Sequence, residues 1–459
     1  MHAARNDAMS HETSIANGSA IVSPPRALAR WAALLIALVT LSLQAQAPDE
    51  MAAARQAMEA KNYAEAEQLY RKALARAPAS DEVLTGLGLS LQMQGRSAEA
   101  MRDYSAALMQ RYVPETYALL AEERCRMGDL ERLKPMLAKI YREQKDNVRV
   151  ISAVAPCYLD IDEPVESAML YRTLLSTDAY APDLAMVQLA KSYIRSGQFF
   201  ADRLSKAPGS EPFLNAIRQA ADAGSSEARS AFPEAARLSP YFKPDLDWPS
   251  AVRLWQQHPQ DTALLYLLSV LSAEEGMRQI QTCGERFPNS VYLAQFSADV
   301  LAEQGHADEA IAQYEQLIRD HADLSDLHYS LGLLHEQRDE WAPALEQFRE
   351  QLAAYPGDER AAAHVSKCLL QTEQYAELRD FLSPRMHVEH PPQWASFSLA
   401  DADQQLGDTD AAIKLLVAVE KEPNADKLVH YRLMHLYTLS GRPEDAKREY
   451  ALFRAAGRN

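Results

Sequence analysis

Few stretches of this chain carry residues able to bind metals, move protons or attack carbon at useful spacing. His387-Val388-Glu389-His390, just before Pro391-Pro392, comes nearest to a metal or acid–base cluster. Two imidazoles with a carboxylate suit a divalent cation. Here they occupy a short loop with no third protein ligand nearby, so the stretch reads as an exposed connector and no metal is expected. Tyr241, Asp245, Asp247 and Trp248 form a second group, in which paired carboxylates would suit acid–base work on a polymer. Three prolines punctuate residues 240–249, and the same residues read as a connector between helices. The four cysteines, Cys125, Cys157, Cys283 and Cys368, have no metal-binding spacing. Cys125 and Cys157 suit a disulfide across neighbouring helices or, alternatively, two buried thiols. There is no nucleophile elbow, phosphate-binding glycine loop or zinc-protease signature. No catalytic residue and no cofactor is expected.

Charge narrows the partner. Against 47 Lys and Arg stand 64 Asp and Glu, for a net charge of −17. A nucleic-acid backbone must be met by clustered basic residues, so nucleic acid is not the expected partner. The chain has 459 residues, of which 47% are hydrophobic and only 16 are glycine. With strand-like alternation of Val, Ile and Thr nearly absent, that balance points to an all-α protein.

The elements follow from a 34-residue period, plainest over Val291–Asn459. One column holds Ala310, Ala344, Leu378, Ala412 and Ala446; four residues later come Tyr314, Phe348, Leu382, Leu416 and Tyr450. A third column, twelve residues before the first, holds Ala298, Gly332, Ser366, Ala400 and Met434. Small residues permit two helices to approach closely, and the bulky column fills the space toward the next block. The period extends backward through Ala66, Tyr70, Ala73 and Pro78, then Ala100, Tyr104 and Ala107. It weakens at 115–147 and 199–260. A fifth block begins with Ala190, Tyr193 and Gly197, with Gly197 at the expected inter-helix turn. A pair is expected over about 209–242, a single helix over Ser250–His258, and a shortened pair over about 261–290.

The N-terminus has its own logic. Arg26 and Arg30 precede the apolar run Trp31–Leu43, which ends in Ala45-Gln46-Ala47. A basic flank, a short apolar run and an Ala-x-Ala end mark a secretory signal. Pro48 disfavours cleavage there, so the alternatives are a cleaved signal and a retained membrane tether through Trp31–Ala47. Either exports the chain from Asp49 onward. The chain divides into residues 1–47 as tail and signal or anchor, 48–208 as an N-terminal array, 209–260 as an irregular connector, and 261–459 as a C-terminal array.

This pattern resembles the tetratricopeptide repeat family, whose helix–turn–helix unit is 34 residues long. Leu331-Gly332, Trp341, Ala344, Phe348 and Pro356 match its pattern in one block; Leu87-Gly88, Leu91, Gly95, Ala100, Tyr104 and Ala107 match it in another. The resemblance implies a right-handed superhelical solenoid of antiparallel helix pairs, stabilised by neighbour-to-neighbour stacking. It also implies that the first helix of each pair lines a concave groove. On that basis the groove candidates are Tyr292, Tyr329, Arg360, Lys367, Trp394, Phe397 and Tyr431, with Asp401, Gln404, Leu428 and His435 beside them. Exposed aromatics are common interface anchors, and Arg360 with Lys367 would offer a basic spot to a carboxylate. Trp394 and Phe397 read alternatively as ordinary packing beneath the Pro391-Pro392 loop. The Lys and Asn residues of the carboxylate-clamp subset are missing: Asp299, Asp326, Tyr329 and Leu333 stand in their place. The expected function is a non-enzymatic scaffold of the extracytoplasmic envelope that binds a protein or peptide. The alternatives are a repeat-bearing enzyme or subunit acting on an envelope polymer, and a membrane-tethered assembly factor.

Overall fold

The computed structural model describes residues 50–177, 180–223, 227–321, 324, 326–386, 391–422 and 427–456. Every regular element among them is helical. Helices α1 (50–59), α2 (Tyr63–Arg76), α3 (Asp81–Gln92), α4 (Ser97–Gln110), α5 (Pro114–Arg126) and α6 (Leu130–Gln144) open the N-terminal array. It continues through α7 (Val148–Val154), α8 (Cys157–Asp160), α9 (Pro164–Leu175) and the long α10 (Pro182–Ser205). Then come α11 (Glu211–Ala223), α12 (Phe232–Leu238), α13 (Trp248–Gln257) and a second long helix, α14 (Thr262–Arg286). The C-terminal array pairs α15 (Val291–Glu303) with α16 (Ala307–Asp320), and α17 (Leu327–Gln337) with α18 (Trp341–Ala354). Its remaining pairs are α19 (Glu359–Gln371) with α20 (Tyr375–Leu382), α21 (Gln393–Gln405) with α22 (Thr409–Glu420), and α23 (Leu428–Leu439) with α24 (Pro443–Ala456).

A column of left-handed residues makes the turns inside the pairs. Lys61, Gly95, Gly128 and Asp162 have φ between 58° and 74°, as do Asp339, Glu373 and Gly441; Gly305 and Gly407 reach 83° and 85°. Within each array these positions recur every 33 or 34 residues, because each turn must reverse the chain at the same height. Caps fix the helix starts: Ser80, Ser290 and Asp358 accept hydrogen bonds from backbone N–H groups of α3, α15 and α19.

The periodic columns form the core. Ala298, Ala310, Ala344, Leu378 and Ala412 are buried, as are Tyr314, Phe348, Leu382 and Leu416. Gly332 lies against the Phe348 ring, where an added Cβ would sit 2.8–2.9 Å from ring carbons. The bulky column is buried by the next pair. Tyr450, on the last described helix, is accordingly 49% exposed, beside an open cavity of about 620 Å³ lined by Met434, Ala446 and Tyr450.

The middle of the chain departs from the expected pairs. Gly197 makes no turn: α10 runs straight through it for 24 residues, and α14 is one 25-residue helix rather than a pair. The two lie antiparallel along their whole length. Ser290 Oγ donates to Asp183 Oδ2 at 2.8 Å at one end, and Ser269 Oγ approaches the Gly197 carbonyl at 3.4 Å toward the other. Burial along α14 explains the straight helix, since Ala263–Ser272 is apolar or small on every side and entirely buried. The described residues between 206 and 261 form an insertion at the tip of this hairpin. Phe213 stacks on Tyr266 of α14 with centroids 4.8 Å apart, and Trp255 meets Phe199 and Phe200 of α10 edge-on. One hydrophobic core consequently runs from Ala54 to Leu271.

Two long-range links complete the architecture. Cys125 of α5 and Cys157 of α8 form a disulfide, with Cα atoms 5.8 Å apart. Buried thiols remain only at Cys283 and Cys368. The second link joins the arrays: the turn at Gly95 touches the turn at Gly357, and a side chain on either would strike the other's backbone. Nearby, burial lifts the Asp160 carboxyl of α8 above its ordinary range, while Arg360 of α19 and Arg195 of α10 act against that rise. The C-terminal array therefore curls back far enough to meet the N-terminal one.

Candidate partner-binding groove

The first helices of successive pairs lie side by side, so a residue on one faces the residue 31 positions later on the next. Glu336 of α17 meets Lys367 of α19 in this way, and Asp401 of α21 meets Arg432 of α23. His364 adds a second contact to Glu336 at 2.6 Å. At the junction with the middle region, Lys191 of α10 pairs with Asp299 of α15 at 2.8 Å. The result is a ladder of opposite charges along the helices of the groove. Such partly exposed pairs contribute little stability each. Their consequence here is that most groove charges are already neutralised.

Arg360 and Lys367 illustrate this. Arg360 contacts Asp326 at 2.8 Å and Asp358 at 2.9 Å, and its guanidinium lies 4.6 Å from the Tyr329 ring centroid. Burial works against its charge, but these carboxylates outweigh it, and Asp358 is in turn held below the usual carboxylate range. Lys367 is engaged by Glu336 and sits over Trp341 at 5.5 Å. A ligand carboxylate at either residue would have to displace an internal one. Tyr329 is half-buried, edge-on to Phe348 and His364. Tyr292 packs where α10 and α14 meet α15. Trp394 and Phe397 are partly buried against the cores of neighbouring pairs. These six candidates are spread along the array: Tyr329, Arg360 and Lys367 are linked through the Arg360–Tyr329 contact and the Glu336–His364 pair, and the others pack apart from them.

The seventh lies in a pocket. Between α21 and α23 a cavity of about 420 Å³ is lined by Asp401, Gln404, Leu428, Tyr431, Arg432 and His435, with Ala400, Leu416 and Leu436 at its base. Tyr431 is 51% exposed, although its ring touches Phe453 at 5.7 Å. Arg432 pairs with Asp401 and lies 5.0 Å over Phe397, which ties that aromatic to the pocket wall. The pocket combines an exposed aromatic, an aliphatic floor and a few polar groups, the composition typical of ligand-binding concavities. Arg432 is a single charge with no periodic column to mark it in the sequence. Opposite charges 31 residues apart on successive first helices would have flagged it.

The other candidates have structural employment. Trp248 is fully buried, donates from Nε1 to Ser272 Oγ at 2.8 Å and meets Tyr193 edge-on. Asp247 caps α13, Tyr241 stacks on His258 at 3.7 Å, and Asp245 is exposed. These residues do not converge on a shared site. His387, Glu389 and His390 lie outside the described residues, as does Trp31–Ala47. Among the described residues no helix is long and apolar enough to cross a membrane.

Paired helices, a recurrent left-handed turn and a groove lined by first helices define a helical-repeat solenoid. The tetratricopeptide-repeat family model matches residues 51–112 and 297–359. With the 34-residue columns, this makes the chain a tetratricopeptide-repeat protein, a class made up generally of protein- and peptide-binding scaffolds. Similar solved structures include YrrB, a TPR protein with an unusual peptide-binding site (16% identity, 38% of this chain and 90% of that one, TM-score 0.32). Another is the APC/C hetero-tetramer Cut9-Hcn1 (16% identity, 88% and 93%, TM-score 0.32). A third is a human IFIT1 dimer with m7Gppp-AAAA (15% identity, 83% and 91%, TM-score 0.28). No curated protein matches the chain.

Proposed function

We propose that this protein is a non-enzymatic scaffold of the extracytoplasmic envelope that holds a peptide or partner protein in its C-terminal groove. The cavity between α21 and α23 carries this reading, because it places an exposed aromatic beside an apolar floor on first helices. Affinity would come from covering Tyr431, Leu428 and Leu436. Specificity would come from polar groups that meet Gln404, His435 and the Asp401–Arg432 pair. Two features support export: the basic, apolar and Ala-x-Ala succession before Asp49, and the Cys125–Cys157 disulfide, a bond at home in oxidising compartments.

The test is recovery of partners by the exported portion. A specific partner should be held by the native groove and released at least about tenfold more readily by Tyr431→Ala or Arg432→Glu, the loss expected on removing one interface anchor. Equal retention by both variants would sink the groove assignment. Cell fractionation with N-terminal sequencing decides between the two exported forms. A mature chain starting near Gln46–Asp49 means a cleaved signal, whereas an intact N-terminus in the membrane fraction means a tether.

A further inference from the structure

Glu420 ends α22, His430 stands in the first turn of α23, and Glu449 lies on α24. One ligand atom from each falls within 4.8 Å of the others, the one such grouping of three among the described residues. We propose that these three side chains bind a divalent transition-metal ion that ties the last three helices together.

The distances suit such an ion. Bonds of about 2.0–2.2 Å in tetrahedral array separate neighbouring ligand atoms by about 3.3–3.6 Å. His430 Nδ1 lies 2.9 Å from Glu449 Oε2 and 3.7 Å from Glu420 Oε1, on either side of that value. Binding would replace the proton shared between His430 and Glu449 by the metal. It would need only a small inward movement of Glu420, which is a quarter exposed.

The carboxylate is also held in place. Glu449 is fully buried. Arg448 occupies its Oε1, with Nη2 at 2.9 Å and Nε at 3.1 Å, which leaves Oε2 turned to His430. A hydrogen bond to the far oxygen of a ligating carboxylate is the usual second support of a metal site. Charge points the same way. Glu420 and Glu449 bring two carboxylates to His430, the guanidinium of Arg448 beside Glu449 is shared with Asp445, and a cation would offset the excess. One nitrogen and two oxygen donors favour zinc-like metals over Ca²⁺ or Mg²⁺, which take oxygen throughout. The location adds a reason for a clamp: the outer face of this pair is the one that no described helix covers.

The experiment uses the full chain stripped by a chelator and titrated with ZnCl2, monitored by calorimetry and by thermal melting. One equivalent should bind and raise Tm. His430→Ala and Glu420→Gln should each weaken binding at least about tenfold and abolish the rise. Glu420→Gln is the decisive variant because its side chain is partly exposed, and circular dichroism reports whether it folds. A His387→Ala/His390→Ala double variant controls for the other histidine cluster and should bind as the native chain does. Absence of binding would overturn the proposal. So would native affinity in Glu420→Gln and His430→Ala, or loss of binding in the double variant.

Discussion

Glu166 lies on α9 close to Tyr141 and Tyr158, and burial, with a smaller push from Glu163, lifts its carboxyl to about 6. A carboxyl raised in the folded state favours folding fully below its unfolded value, near 4.5. That contribution is lost as pH rises through the folded value. Replacing Glu166 by Gln should therefore stabilise the protein at pH 7.5, by up to about 2 kcal/mol, and leave it unchanged at pH 4. Melting curves at both pH values check this; equal effects at both would show that the carboxyl is not strained by burial. Gly332 gives a second residue-scale expectation. Because a Cβ there meets the Phe348 ring, Gly332→Leu should cost about 1–3 kcal/mol or more in denaturant unfolding. Both Gly332 and Phe348 were legible in the sequence, since recurrence at fixed offsets is what packing demands. Arg432 was not, because single charges have no column of their own and acquire meaning only beside Asp401.

At the scale of elements, the helix pairs could be read wherever small and bulky columns recur. Gly197 misled because a glycine at the right place in the period has two uses, a left-handed turn or a helix crossing. Only the all-round burial of α14 selects the second. The turn column also shows that glycine is not obligatory. Lys61, Asp162, Asp339 and Glu373 adopt the same conformation at a cost of about 1 kcal/mol each. Glu373→Gly should accordingly raise stability by roughly that amount, measured by chemical denaturation. The disulfide ties α5, in the weakly patterned stretch 115–147, to α8 beyond it. Cys125→Ser should lower stability by about 2–4 kcal/mol and remove the sensitivity of Tm to reductant. An unchanged Tm in reductant for the native chain would count against the bond.

For the whole molecule, two arrays share one long helical hairpin and meet again at Gly95 and Gly357. Nothing in a 34-residue period reports a contact between turns 262 residues apart in sequence; it arises from the accumulated curvature of the stack and the straight α10–α14 pair. Gly357→Trp should push the arrays apart, seen as a larger radius of gyration in small-angle scattering, with helix content unchanged. The same curvature sets how wide the groove stands and hence what it admits. The proposed groove places partners on the first-helix face at the α21–α23 cavity. Its most direct test is photo-crosslinking with benzoylphenylalanine placed at Tyr431 and, for comparison, at exposed Lys414 on the second helix α22. A discrete partner adduct is expected from position 431 and none from 414. Adducts from 414 alone, or equally from both, would contradict it.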